Sequence, residues 1–171
     1  MIHLYTGDGK GKTTAAIGQA IRAAGSDYRV IFAQFMKGND SGELQMLKEL
    51  PKVTIVRSPK EFGFYHTMTD AEKEELTNIH NSILDEVLLT AQEKACEMIV
   101  LDEITYPATW KLMDIGKLKQ LLTLAADGPE LVLTGRNAAD FLMECADYIT
   151  EMRCVRHPYE KGISARKGIE F

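Results

Sequence analysis

Cysteine is scarce, and its three positions, Cys96, Cys145 and Cys154, form no pair at short spacing. That excludes a disulfide frame and a cysteine-built zinc site, and predicts reduced, mostly buried thiols. Basic charge is also short: 20 Lys and Arg stand against 25 Asp and Glu, a formal charge of −5. A general nucleic-acid binder carries the opposite surplus. No apolar run approaches the roughly 20 residues of a membrane span, and no leader-like segment precedes the first apolar run. These absences predict a cytoplasmic, soluble protein. With no internal repeat, low-complexity tract or linker, residues 1–171 read as one domain with a full hydrophobic core.

What is present is concentrated near the start. Gly7-Asp8-Gly9-Lys10-Gly11-Lys12-Thr13-Thr14 follows a short apolar run and precedes Ala15-Ala16-Ile17. That order of strand, glycine-rich turn and helix is the context a phosphate-binding loop requires. Glycines let successive backbone N–H groups point at one anion, and the helix N-terminus adds its partial positive charge there. Lys12 would reach the outer phosphates, the Thr13 hydroxyl would hold a magnesium ion, and Lys10 adds a second cation. Counted back from Gly11, the usual spacing puts Thr6 where the first glycine belongs.

Downstream, the continuous apolar run over 29–35 reads as a strand of a parallel sheet covered on both faces. The polar loop from Met36 through Asn39 and Asp40 to Glu43 lies at the strand's C-terminal end, the edge where open α/β sheets bind ligands. Lys37 and Glu43 are therefore candidates, each equally readable as a solvated charge. A short helix over 43–50 and a strand over 53–57 come next. Phe62, Phe64 and Tyr65 then surround Gly63, either as core plugs or as an apolar wall beside a large planar ligand. Thr69 and Glu72 carry capping-box spacing, which predicts a long helix reaching about residue 96, with His80 on it as a surface or satisfied histidine.

The run over 98–102 ends in Asp102, with Glu103 next, and reads as the second half of a phosphate-loop site. Asp102 would lie near the magnesium; Glu103 would polarise an attacking water, as in hydrolytic ATPases, or act as a metal carboxylate. A helix over 114–126, a strand over 130–134 closing on Arg136, a helix capped by Asn137, and a last strand over 148–152 complete the pattern. Arg136 is a phosphate contact or a surface ion pair. The locally basic tail over 153–171 reads as a frayed terminus.

Together these stretches resemble one family. They are the loop with Tyr5-Thr6 before it, Gln34-Phe35-Met36-Lys37-Gly38 with Gly42-Glu43, Val100-Leu101-Asp102-Glu103-Ile104-Thr105-Tyr106, Leu133-Thr134-Gly135-Arg136, Thr150-Glu151-Met152, and the ending from Gly162 through Arg166-Lys167-Gly168-Ile169-Glu170-Phe171. The chain resembles the phosphate-loop type of ATP:corrinoid adenosyltransferases, also called cob(I)yrinic acid a,c-diamide adenosyltransferases, over its whole length. The resemblance implies a RecA-like α/β fold, a homodimer, and a reduced flavoprotein as electron donor. It also implies transfer of the 5′-deoxyadenosyl group from ATP to the cobalt(I) of a corrinoid, releasing triphosphate, with ATP reversed in the loop. By that motif Gly9 to Thr14 hold the polyphosphate, and Glu103 with a loop threonine places the metal. The family's corrinoid-facing aromatic pair maps onto Phe62 and Phe64, with Phe in place of Trp. An N-terminal helix found in some members has no counterpart here, which implies a different closure over the corrinoid. The other readings are a phosphate-loop ATPase or kinase with Glu103 as base, and a corrinoid chaperone that uses ATP only as a ligand.

Overall fold

The computed structural model describes residues 1–38 and 41–170; the Asn39-Asp40 part of the polar loop and the final Phe171 lie outside the described residues. Six strands, β1 (Ile2–Thr6), β2 (Val30–Gln34), β3 (Val53–Arg57), β4 (Met98–Asp102), β5 (Glu130–Thr134) and β6 (Tyr148–Glu151), form one sheet in the order β3-β2-β4-β5-β1-β6. Every pairing is parallel. The strand that feeds the glycine loop and the strand that ends in Asp102 are separated by β5, as the RecA-like expectation requires.

The apolar runs are continuous because both faces of the sheet are covered. Side chains alternate across a strand, so Met98 and Val100 of β4 pack with Ala16, Ala20 and Ala23 of α1 (Lys12–Ala24) and Leu44 and Leu47 of α2 (Gly42–Lys48). Ile99 and Leu101 point the other way, to Ile83, Leu84 and Val87 of α3 (Asp70–Gln92) and Leu118 and Leu121 of α5 (Ile115–Leu124). The small residues on α1 bring that helix, and with it the loop, close to the sheet. Thr69 and Glu72 make both halves of the expected capping box, and Asp114 caps α5.

Four departures from the sequence reading have physical reasons. Helix α3 stops at Gln92, where Lys94 turns through φ 53°. Helix α6 (Asp140–Cys145) is preceded by Ala139, while Asn137 takes a left-handed φ of 49° and caps nothing. Only Cys96 is fully buried; Cys145 is half-buried and Cys154 exposed. Up to Glu170 the tail is not frayed. Met152 continues β6 by donating its N–H to the Thr6 carbonyl and accepting from the Gly9 N–H, and a 3-10 turn, Pro158–Lys161, comes after it.

The C-terminal ends of β2, β4, β5 and β1 are neighbours along one edge, and the segments that leave these four strands face the same cavity.

Candidate active site

A cavity of about 650 Å³ opens at that edge. It is lined by the loop from Gly9 to Thr14, by Lys37, Glu43, Glu103, Tyr106 and Arg136, and by His157 and Gly168 to Glu170 of the tail. Helix α1 begins at Gly11, φ 118°, with no side-chain cap and no acidic residue in its first turn. Its leading N–H groups and its dipole are left for an anion. Lys12 is nearly buried and its ammonium folds back onto the loop, donating to the carbonyls of Gly7 at 2.7 Å and Gly9 at 2.8 Å. Burial, and then Arg136, lower its pKa, against the pull of Glu103, Asp8 and Asp102.

Asp102 lies under the loop with no exposure. Its Oδ1 accepts from the hydroxyls of Thr13 at 2.8 Å and Thr134 at 2.7 Å. Its Oδ2 accepts from Gln34 at 3.1 Å and faces the Lys37 ammonium at 3.4 Å. Both oxygens are engaged, so Asp102 supports Thr13 and the loop instead of reaching into the cavity. Glu103 does reach it. A left-handed φ of 62°, uncommon for a residue with a side chain, swings it off the strand, and its N–H is anchored on the Thr134 hydroxyl at 2.9 Å. Its Oε1 lies 3.7 Å from Lys37, while its buried Oε2 has no hydrogen-bond partner among the described residues. Burial, then the neighbouring Asp102, raise the Glu103 pKa; Lys37, Lys12 and Arg136 oppose them.

Lys37 is aimed by residues outside the cavity. Met36 turns through φ 60°, and its N–H donates to His80 Nε2 at 3.3 Å. His80 is fully buried on α3, and its Nδ1–H donates to the Leu112 carbonyl at 2.9 Å. This is the satisfied histidine of the two expected readings. Gly38 leaves no room for a side chain, since a Cβ there would sit 2.4 Å from the Lys60 carbonyl.

Of the predicted site residues, Gly9 to Thr14, Lys37, Glu43, Glu103 and Arg136 line one cavity. Gly7 forms the turn beside it with φ 94°, and Asp8 is exposed on the rim side of the loop. Phe62 and Phe64 do not line the cavity. Phe62 packs half-buried against the Met68, Leu76 and Leu112 cluster with Lys60 over its ring at 5.0 Å, and Phe64 is 85% exposed. Sequence reasoning missed an aromatic run that starts at the cavity: Tyr106 lies 4.9 Å from Trp110, which stacks on Tyr65 at 4.4 Å. Tyr106 comes one helical turn after the Asp-Glu pair, a signal that could have been read. Gln34, Thr134 and the tail wall stood in the stretches that carry the family resemblance but had no assigned role, and His157 had no signal, because only the strand order brings them in.

A parallel α/β sheet, a glycine loop opening a helix, and a threonine-linked carboxylate on a separated strand define the phosphate-loop fold class. The family model described as ATP:corrinoid adenosyltransferase BtuR/CobO/CobP matches residues 1–171. Among proteins of known name, the corrinoid adenosyltransferase of Escherichia coli strain K12 is 30% identical over 172 residues, spanning 100% of this chain and 85% of that one. The corrinoid adenosyltransferase CobA of Salmonella typhimurium is also 30% identical with the same coverage. A corrinoid adenosyltransferase of Sinorhizobium sp. is 32% identical over 186 residues, covering 100% of this chain and 80% of the relative. The chain belongs to the ATP:corrinoid adenosyltransferase family, a family of transferases. Among the described residues no helix is long and apolar enough to cross a membrane.

Proposed function

We propose that the protein moves the 5′-deoxyadenosyl group of ATP onto the cobalt(I) of a corrinoid and releases triphosphate. The observation that carries this reading is the convergence of the loop, Lys12, Lys37 and Arg136 on one cavity, within a family-wide match. In the reaction the cobalt(I) electron pair attacks C5′, the Co–C bond forms, and the C5′–O bond breaks with its electrons leaving on triphosphate. The nucleophile carries no proton, so no general base is needed. Catalysis then rests on alignment and on charge stabilisation at the leaving group. The loop N–H groups, Lys10, Lys12 and Arg136 serve that charge, in keeping with ATP reversed so that the whole triphosphate departs.

A divalent ion fits the residues present, because the buried Glu103 Oε2 has no hydrogen-bond partner among the described residues and Asp102 holds the Thr13 hydroxyl. Glu103 and Thr13 would hold magnesium, with Asp102 holding Thr13; the ion, when bound, neutralises polyphosphate charge. Phe64 is assigned to the corrinoid side, where an exposed apolar ring beside the cobalt would disfavour an axial ligand and ease reduction to cobalt(I). The same reading takes residues 1–171 as one catalytic domain, acting as a cytoplasmic homodimer that receives electrons from a reduced flavoprotein.

The test is an anaerobic assay with ATP, magnesium and chemically reduced cob(I)alamin, tracking the visible spectrum and the phosphate products. Adenosylcobalamin plus triphosphate is expected, falling by about 100-fold or more in Lys12→Ala. Orthophosphate alone, indifferent to corrinoid, would refute the transfer and favour Glu103 as a water-activating base.

A further inference from the structure

Lys37 occupies a position that adenosyl transfer by itself does not explain. Its ammonium lies 3.4 Å from Asp102 Oδ2 and 3.7 Å from Glu103 Oε1, bridging two adjacent carboxylates. Two such groups side by side repel when both are ionised, most strongly where water is scarce. Asp102 is fully buried and Glu103 half-buried, so a cation held between them offsets that repulsion.

The backbone under this lysine is fixed. The Met36 N–H is held by His80, the Lys37 carbonyl accepts from Arg57 at 3.5 Å, and Gly38 is pressed against the 60–61 backbone. The head is less confined: its ion pairs sit at the cavity, and the side chain, 39% exposed, hangs on four methylenes. A fixed root with a mobile charge can trade partners without moving the chain.

We infer that Lys37 is a placeholder cation: it neutralises Asp102 and Glu103 in the nucleotide-free protein and turns onto the polyphosphate when a divalent ion takes its place. The inference deepens the proposed function and rests on that reading for the identity of the polyphosphate. It makes metal and lysine alternatives at one carboxylate pair, so metal binds poorly until a phosphate is present to receive the lysine. That competition gives an ordered entry of metal together with nucleotide.

The experiment titrates manganese, as a spin probe for magnesium, into the protein without nucleotide. Lys37→Met removes the resident cation, and manganese should then bind about tenfold or more tightly than to the wild type. Lys37→Arg keeps a cation and should behave like the wild type. Unchanged or weaker manganese binding in Lys37→Met, with native far-ultraviolet circular dichroism, overturns the placeholder. Should that variant not fold, the unmodified chain decides: acetylation at Lys37, mapped by peptide mass, rises as magnesium alone is raised to saturation, and a flat response overturns the exchange. Neither readout needs a corrinoid. A protein that transfers adenosyl but shows no exchange loses only this inference, and one that shows exchange without transfer loses only the reaction.

Discussion

Acidification should destabilise this protein through one buried ring before its carboxylates are reached. His80 has no exposure, and burial, partly offset by its bond to the Leu112 carbonyl, lowers its pKa from 6.5 to about 4. The ring is therefore neutral in the fold, with Nδ1–H on Leu112 and Nε2 accepting from Met36. The unfolded chain takes up a proton near 6.5, whereas the folded chain resists it until about 4. Between those values the unfolded state binds more protons, so stability falls as the pH drops and the loss is complete below about 4. At about 1.36 kcal/mol per pH unit, the full loss is about 3 kcal/mol. Urea unfolding at closely spaced pH values measures it. His80→Leu leaves the Met36 N–H and Leu112 carbonyl unpaired, at about 1–3 kcal/mol each, but its stability should be flatter between pH 6.5 and 4. An equally steep decline in wild type and His80→Leu would refute the assignment of a neutral buried ring. The Arg29–Glu97 pair holds the Glu97 carboxyl at about 2 against 4.5 in the free chain, so its contribution is lost between those values and touches only the lower end of the window.

Gly9→Ala would push a Cβ to 2.5 Å from the Met152 carbonyl, so thermal unfolding should show a loss of about 1–3 kcal/mol together with weakened ATP binding by calorimetry. Asp102→Asn keeps one buried acceptor for the Thr13 and Thr134 hydroxyls but turns the other oxygen into a donor facing the Gln34 amide and the Lys37 ammonium; a destabilisation of about 2–4 kcal/mol in urea is expected, and a change below about 0.5 kcal/mol would contradict the network. Phe64→Ser, at an 85% exposed position, should leave stability within about 0.5 kcal/mol and spare ATP binding while cutting cobalamin adenosylation; equal loss of both would remove Phe64 from the corrinoid side.

Strands β2, β4 and β5 were legible because each is a short apolar run with both faces buried, and β3, β4 and β5 begin and end where the sequence reading put them. The phosphate loop was legible because its glycines, Lys12 and Thr13 are contiguous. His80 also carried a signal: with Leu76, Ile83, Leu84 and Val87 it falls on the three-and-four period of the buried face of α3. What escaped is what chain order brings together across distance. Trp110 stood far from the 62–66 segment in sequence, yet α4 (Thr105–Thr109) ends by stacking it on Tyr65. Edge strand β6 is exposed at every position, so burial gave no pattern from which to foresee a tail bent back over the loop. Asn137 read as a cap by residue type alone, and a left-handed turn uses the same residue type for another purpose.

That edge strand explains the oddest feature of the loop. Thr6 stands where a phosphate loop usually begins with glycine, because here Thr6 is still strand: it pairs with Glu151 of β6, and its carbonyl accepts the Met152 N–H at 2.8 Å. The turn begins one residue later, at Gly7 with φ 94°. Gly7 and Gly9 are then required twice over. A Cβ on either would meet the Met152 carbonyl, at 2.6 Å and 2.5 Å, and the same bare backbone leaves the loop carbonyls turned toward the Lys12 ammonium. Met152 thus acts as a template for the loop from behind, while the chain beyond it returns through His157 and Gly168 to Glu170 to line the cavity. The loop and the tail form a single structure with two faces, and a change in the tail should reach the nucleotide by altering the loop's shape as well as by direct contact.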